Sequence, residues 1–278
     1  MLAGGAAAGA FGSLLGLGGG VLIVPLLTLG FGLDLRAAVG VSLVSVIVTS
    51  SAAAGVYLER NVANLRLGMT LELFTALGAL GGGLIAFLIE ERLLAVLFAA
   101  LLGYVSLSMV RHGLAAEDGT PPEPPLEPPP DDDPPPGTNG RDLRARAIER
   151  LSGDAYTVRR IGTGVAGSVF AGVVSALLGI GGGIIKVPLM HIGMGVPLRV
   201  ATATSNLIIG VTASASAVIY LLRGEIDPYV AGPVAIGVFV GATAGSRVAH
   251  RIDLRVLRGL FVIVLLYTAF QMLLRALG

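Results

Sequence analysis

The chain has 278 residues, of which 54% are hydrophobic and only 13% are charged, and its mean hydropathy is +0.84. Soluble domains contain roughly 25% charged residues, so this composition excludes an ordinary soluble fold. The net charge is +1 and nearly every basic residue is arginine, which gives no reason to expect a nucleic-acid partner.

About eight apolar stretches follow one another along the chain, each of the 18 or more residues that are typical of transmembrane helices. Most charged residues lie between them. We therefore predict an all-α polytopic membrane protein in a lipid bilayer, built from two tandem repeats of about four transmembrane segments each. The predicted division is a first transmembrane repeat at 1–112, a linker at 113–140, a basic juxtamembrane helix at 141–160 and a second transmembrane repeat at 161–278.

The first and fifth apolar stretches share a glycine motif, GLGGG at Gly16 to Gly20 and GIGGG at Gly179 to Gly183. Placing one motif on the other gives an offset of 163 residues, at which 12 of the 24 residues from Gly12 to Leu35 match those from Ser175 to Leu198. This identity indicates a duplication. Many secondary transporters consist of two such repeats, and the interrupted helices at matching positions form a central substrate site.

The glycines predict a break in the first helix of each repeat, because each glycine costs a helix about 1 kcal/mol relative to alanine. Pro25 and Pro188 follow the two motifs and remove a backbone donor, so the next half-helix should be distorted as well. Unwound backbone must be buried in protein or line a wet cavity, where its N–H groups suit an anion. The alternative is that these glycines only allow close helix packing.

The broken first segment leaves two topologies open. Four full spans per repeat would make the repeats parallel. A first segment folded as a re-entrant hairpin would leave three spans and make the repeats inverted, and this is the arrangement that we favour.

The region between the repeats contains TPPEPPLEPPPDDDPPPGTNG, in which almost nothing apolar is available to bury. We predict that this Pro-rich acidic linker is disordered. Arg141 to Arg160 follows, with RDLRARAIERL, and is predicted to form a basic helix at the membrane surface. A solvated continuation of the linker is the alternative.

Lys186 is the only lysine of the chain and lies within an apolar stretch, opposite Ile23 of the first repeat. A charged residue inside a membrane segment is expensive and is a functional candidate by default. We predict that its ammonium group supplies positive charge to an anionic substrate, and the alternative is a side chain that snorkels to the membrane interface. Glu72, near the start of the third stretch, is expected to be interfacial, with a coupling role as the alternative.

Hydroxyl and amide side chains of the sixth stretch and its counterpart complete the candidate site, where they either contact substrate or bond across helices. The predicted substrate-binding residues are Gly18, Gly19, Gly20, Ser42, Gly181, Gly182, Gly183, Lys186, Thr204, Ser205 and Asn206. No catalytic residue, metal site or cofactor is predicted, because the chain has no cysteine, three histidines and no metal-ligand spacing such as HExxH.

Two segments resemble a known family, GSLLGLGGGVLIVPLL at Gly12 to Leu27 and SALLGIGGGIIKVPLM at Ser175 to Met190. Together with ATATSNLIIGVTASASA (Ala201 to Ala217) and GATAGSRVAHRI (Gly241 to Ile252), they resemble the TauE/SafE/TSUP family of membrane proteins, often called sulfite exporters. The resemblance covers nearly everything except the Pro-rich linker.

The resemblance implies a multi-pass protein of the prokaryotic cell (inner) membrane that moves small sulfur-containing anions such as sulfite, sulfonates and sulfoacetate. It carries over the glycine motifs, Lys186 and Arg247 as matching positions.

These observations together predict a secondary transporter for a small anion, with its site at the repeat interface near the bilayer midplane. An ion gradient is the expected motive force, with a proton as the candidate coupling ion. An anion-selective channel that uses the same positive site is the alternative. The oligomeric state stays open, a homodimer included.

Overall fold

A computed structural model of the chain describes residues 1–15, 19–59, 63–115, 156, 158–248 and 254–277. Within these residues the protein is almost entirely helical and contains no strand. The helices are α1 (Leu2–Leu15), α2 (Gly20–Pro25), α3 (Leu35–Glu59), α4 (Leu65–Ala86), α5 (Glu91–Ala115), α6 (Ile161–Leu178), α7 (Gly183–Pro188), α8 (Leu198–Leu222), α9 (Pro228–Val248) and α10 (Leu254–Leu277), with π-helical turns at Leu26–Gly30 and Leu189–Gly193.

Seven of the described helices, α3 to α6 and α8 to α10, are long and apolar enough to cross a membrane. The first apolar stretch is divided into the two short helices α1 and α2. The fifth stretch is divided in the same way into α6 and α7, so α6 is one of the seven by length although it is only the first part of a broken segment. The 14-residue α1 is about 21 Å long at 1.5 Å per residue, which is less than the roughly 30 Å of a bilayer core.

The first apolar stretch of each half folds back on itself as a helical hairpin. In the second half, the Arg159 backbone N–H donates to the Met194 carbonyl at 2.9 Å, so the start of α6 lies beside the end of the second π-helical turn. In the first half, Gly4 of α1 lies against the side chain of Leu26. Each hairpin therefore enters and leaves at one end of the bundle.

Two prolines account for the π-helical turns. Pro25 and Pro188 have no N–H to donate, and each ring crowds the carbonyl four residues earlier. The widened turn begins at the residue after each proline. The predicted distortion of both half-helices is confirmed, and π-helical turns of this kind are frequent at functional sites.

The two halves exchange their hairpins. α1 packs along α9 of the second half, and α6 packs along α4 of the first half. Helices at corresponding positions also pair with each other, α3 with α8 and α5 with α10. The two short helices also begin at corresponding residues, since α2 begins at Gly20 and α7 begins 163 residues later at Gly183.

The order of contacts gives the relative direction of the helices. Along α4, Gly78 lies against Val169 of α6 and Gly82 lies against Val173, so these two helices run parallel. α1 and α9 run parallel in the same way, whereas α3 and α8 are antiparallel. These directions need a hairpin and three crossings in each half, with the hairpins entering from opposite ends. The predicted four segments per half therefore become one hairpin and three long helices.

Most of the region between the halves, including the greater part of the predicted linker and basic helix, lies outside the described residues. α5 extends to Ala115, which is three residues into the linker predicted at 113–140. Tyr156 and residues 158–160 belong to the basic helix predicted at 141–160 but are not helical. The helix prediction is therefore wrong for these last residues.

Candidate substrate site at the glycine breaks

Each hairpin turns on glycines in the left-handed backbone conformation, which other residues rarely adopt. Gly19 precedes α2 with a φ of 76°, and its counterpart Gly182 precedes α7 with a φ of 80°. The predicted unwinding of the second motif is confirmed, because residues 179–182 are not helical. In the first motif, residues 16–18, Gly18 among them, lie outside the described residues.

The two hairpin tips meet inside the protein. A Cβ atom added at Gly20 would lie only 2.8 Å from the carbonyl oxygen of Gly179. Ser42 of α3 joins the tips, since its Oγ lies 2.7 Å from the Gly179 oxygen and 3.2 Å from the Gly20 oxygen. A serine hydroxyl has one hydrogen to donate, so the two carbonyls share it. The glycine breaks thus contact each other directly, with Ser42 buried between them.

Two buried hydroxyls of the second half face the same break without a hydrogen-bond partner among the described residues. Ser205 of α8, the counterpart of Ser42, has its Oγ 3.5 Å from the position that a Cβ of Gly183 would take. Ser175 of α6 lies beside Gly182. Neither Oγ has a hydrogen-bond partner in the part of the chain that the structure describes. A buried polar group left unbonded costs about 1–3 kcal/mol, so both hydroxyls are available to a ligand.

Lys186 lies one helical turn beyond the second break and forms an ion pair with Glu72 of α4. Both side chains are buried, with 1% of Lys186 and 6% of Glu72 exposed. Lys186 Nζ also donates to Thr212 Oγ1 of α8 at 2.8 Å, and Thr212 Oγ1 donates to the Glu72 carboxylate. Lys186 therefore does not snorkel to a membrane interface, and protein encloses the Glu72 carboxylate as well.

Thr204 and Asn206 make contacts away from the tips. The Thr204 hydroxyl accepts from the backbone N–H of Asn64, just before α4, at 2.9 Å. The backbone carbonyl of Asn206 accepts from Ser50 of α3 at 2.9 Å. Among the predicted residues that the structure describes, the glycines, Ser42 and Ser205 come together, and Lys186 lies one turn away.

Glu72, Thr212 and Ser175 belong to this region but were not among the predicted binding residues. Glu72 could have been selected from the sequence, because it is the single carboxylate of the third apolar stretch. Its partnership with Lys186 spans 114 residues and cannot be inferred locally. No group of three or more His, Cys, Asp or Glu side chains in the described ranges could hold a metal ion.

A bundle of long apolar helices around two hairpins, with charges enclosed between its halves, defines a multi-pass integral membrane protein. The chain belongs to the sulfite exporter TauE/SafE family, whose model matches residues 1–272. The family resemblance predicted from the motifs is thus confirmed, and the protein is a membrane transporter of that family.

Two relatives agree with this assignment. The "Probable membrane transporter protein YunE" of Bacillus subtilis is 25% identical over 274 residues, which cover 96% of this chain and 93% of that protein. The "Probable membrane transporter protein MamO" of Paramagnetospirillum magneticum is 30% identical over 110 residues, which cover 37% of this chain and 17% of that protein. No solved structure matches the chain.

Proposed function

We propose that the protein is a secondary transporter of a small anion, which crosses the membrane where the two hairpin tips meet. The observation that carries the proposal is the direct contact between Gly20 and Gly179, whose carbonyl groups both accept from the Ser42 hydroxyl. Transporters with broken helices from two opposed halves bind substrate at that junction. The contact between the two tips blocks the route that the anion would take, so transport requires the tips to separate.

The groups around the tips suit an anion. The Ser175 and Ser205 hydroxyls can each donate one hydrogen bond, and the only lysine of the chain lies one turn from the break. Donors in a low-dielectric interior act more strongly on a charged ligand than the same donors do in water. The family description names sulfite, and we propose a small sulfur-containing anion of the sulfite, sulfonate or sulfoacetate type.

The energy source that we propose is an ion gradient with a proton as the coupling ion, because the sequence contains no nucleotide-binding motif. In this proposal the protein acts as a carrier and catalyses no covalent step.

Flux into proteoliposomes tests the proposal. The purified protein is reconstituted and offered labelled sulfite, sulfate, thiosulfate and short sulfonates, with and without an imposed pH gradient. We expect at least one of these anions to accumulate against its concentration gradient. Movement of none of them would overturn the proposed substrate class, and flux that never exceeds equilibrium would overturn secondary transport.

Ser205→Ala tests the location of the site, and Ser214→Ala is the matched control. Ser205 Oγ has no partner in the described residues, so its removal should not lower stability. A hydrogen bond to a charged ligand contributes about 1.5–3 kcal/mol, so we expect anion transport to fall about tenfold or more. Within the described residues, Ser214 on the same helix bonds only the Gly210 carbonyl, and its replacement should leave transport unchanged. Equal transport by the two variants would place the anion elsewhere.

A further inference from the structure

The Glu72–Lys186 ion pair occurs at one of two corresponding places in the fold. At the offset of 163 residues, Lys186 corresponds to Ile23 and Glu72 corresponds to Ala235. Ile23 is fully buried and packs in the apolar core. At the corresponding place in the other half, the helices therefore pack together without a buried ion pair.

The ion pair is thus a costly feature that the fold does not require. Burying two charges costs several kcal/mol per ion, and apolar side chains of similar volume are often as stable or more stable. Ionisable side chains inside membrane segments are accordingly rare and mark substrate or ion pathways. A role in transport explains why one half carries the pair while the other does not.

The pair is electrically isolated from the rest of the described protein. Three helices surround Glu72: α6 contains no charged side chain, and α7 contributes Lys186. α8 contributes the Thr212 hydroxyl, and its one charged residue, Arg199, is the second residue of that helix. The other charged residue of α4, Arg66, is exposed at the start of that helix. The net charge of the pair is therefore zero when both groups are ionised, and it becomes +1 when Glu72 takes up one proton.

We propose that Glu72 is the proton-binding residue that couples transport to the proton gradient, an inference that rests on the proposed function. Protonation of Glu72 removes the negative partner of Lys186. The ammonium group, carried on a flexible four-carbon stem, then has an uncompensated charge one turn from the second glycine break. An anion that carries one negative charge restores neutrality when it binds there. Loss of the proton from Glu72 reforms the ion pair and expels the anion.

This cycle couples one proton to each anion that is carried. The pair is sealed by protein with the tips in contact, so a proton enters or leaves Glu72 only when the tips separate. Proton leak without an anion is suppressed, because an unpaired Lys186 charge would have to be buried alone, at a cost of several kcal/mol.

Proton movement and anion movement are measured together in proteoliposomes that contain a trapped pH-sensitive dye. For any anion of the panel that the wild-type protein transports, an anion gradient should drive protons in the same direction. In Glu72→Gln we expect proton movement to fall to the level of protein-free liposomes, and anion exchange to lose its dependence on pH. Glu90→Gln is the control, because Glu90 is an exposed carboxylate just before α5, and it should behave as the wild type does.

Anion-driven proton movement that persists in Glu72→Gln would overturn the inference. If that variant does not assemble, Glu72→Asp replaces it, since the shorter carboxylate keeps a proton site but lies farther from Lys186. Its pH midpoint for anion exchange should shift, and an unchanged midpoint would count against Glu72.

Failure of this inference differs from failure of the proposed function. Wild-type anion transport without any proton movement would overturn the role of Glu72 and leave the transporter assignment standing. If no anion of the panel moves, infrared difference spectra recorded across pH still test the residue. The chain has 18 Asp and Glu residues, so the two proteins are compared: the wild type should show one protonated-carboxyl component that Glu72→Gln lacks, and identical spectra would overturn the inference.

Discussion

Ser42 and Ser205 occupy corresponding positions but have different surroundings. Ser42 bonds the carbonyls of both hairpin tips, whereas Ser205 bonds no group of the described residues. The first half therefore holds the tips together, and the second half has a free donor beside the break. Lys186 also belongs to the second half, so the free hydroxyls and the ammonium group near the break lie on one side of the contact between the tips.

Ser42→Ala should destabilise the protein, because it leaves the Gly179 carbonyl without its side-chain donor inside the bundle. A buried carbonyl that loses its partner costs about 1–3 kcal/mol. The measurement is thermal unfolding in detergent. Ser51→Ala is the control, since Ser51 lies exposed on the same helix and its hydroxyl bonds only the Ile47 carbonyl among the described residues. A surface change of this kind stays within about 0.5 kcal/mol. Equal loss in both variants would show that the bridge between the tips contributes no stability.

Single residues were predictable where their chemistry conflicts with a membrane segment. Lys186 stood out as a lone charge, and the glycine motifs stood out as helix breakers. The contacts of Thr204 with Asn64 and of Lys186 with Glu72 were not predictable, because they depend on how α4, α7 and α8 pack together. Local sequence gives no measure of packing between segments more than a hundred residues apart.

At the scale of helices, glycine spacing decides how closely the exchanged hairpins pack. Gly78 and Gly82 of α4 let the backbone of α6 approach so closely that a Cβ at Gly78 would lie 2.1 Å from the Val169 carbonyl oxygen. Small residues spaced by four allow this approach between membrane helices. Gly78 and Gly82 therefore form a GxxxG packing motif whose partner helix belongs to the other half.

Gly82→Ala should separate α4 from α6 and lower stability. The added Cβ would lie 2.6 Å from the Val173 backbone, which cannot rotate away as a side chain can. Overpacking of this kind costs about 1–3 kcal/mol. The neighbouring Gly81 has no atom within 4 Å of an added Cβ, so Gly81→Ala should be neutral or stabilising by up to about 1 kcal/mol, through helix propensity alone. Melting temperatures in detergent compare the two, and equal values would contradict the described α4–α6 interface.

At the scale of the whole molecule, the ends of the bundle identify which loops share a side. The guanidinium groups of Arg36 and Arg223 lie 5.6 and 5.1 Å from the ring centre of Phe87. The start of α3 and the ends of α4 and α8 therefore lie at one end. The side on which each loop lies could not be predicted from the sequence. Apolar stretches show where helices lie, but they do not show whether the first stretch of each half crosses the membrane or folds back as a hairpin. The hairpin became visible only through contacts between its own limbs.

Cysteine labelling in membranes distinguishes hairpins from eight full spans, and the chain has no cysteine of its own to remove. Leu88 follows α4, Asp227 precedes α9 and Arg159 precedes α6, and each of the three is exposed. With hairpins, cysteines at Leu88 and Asp227 should react with a membrane-impermeant maleimide from the same side, and a cysteine at Arg159 from the other. With eight full spans, Asp227 would share its side with Arg159 instead. Asp227 therefore decides between the two topologies, because its side relative to the other two positions depends on whether the hairpins return.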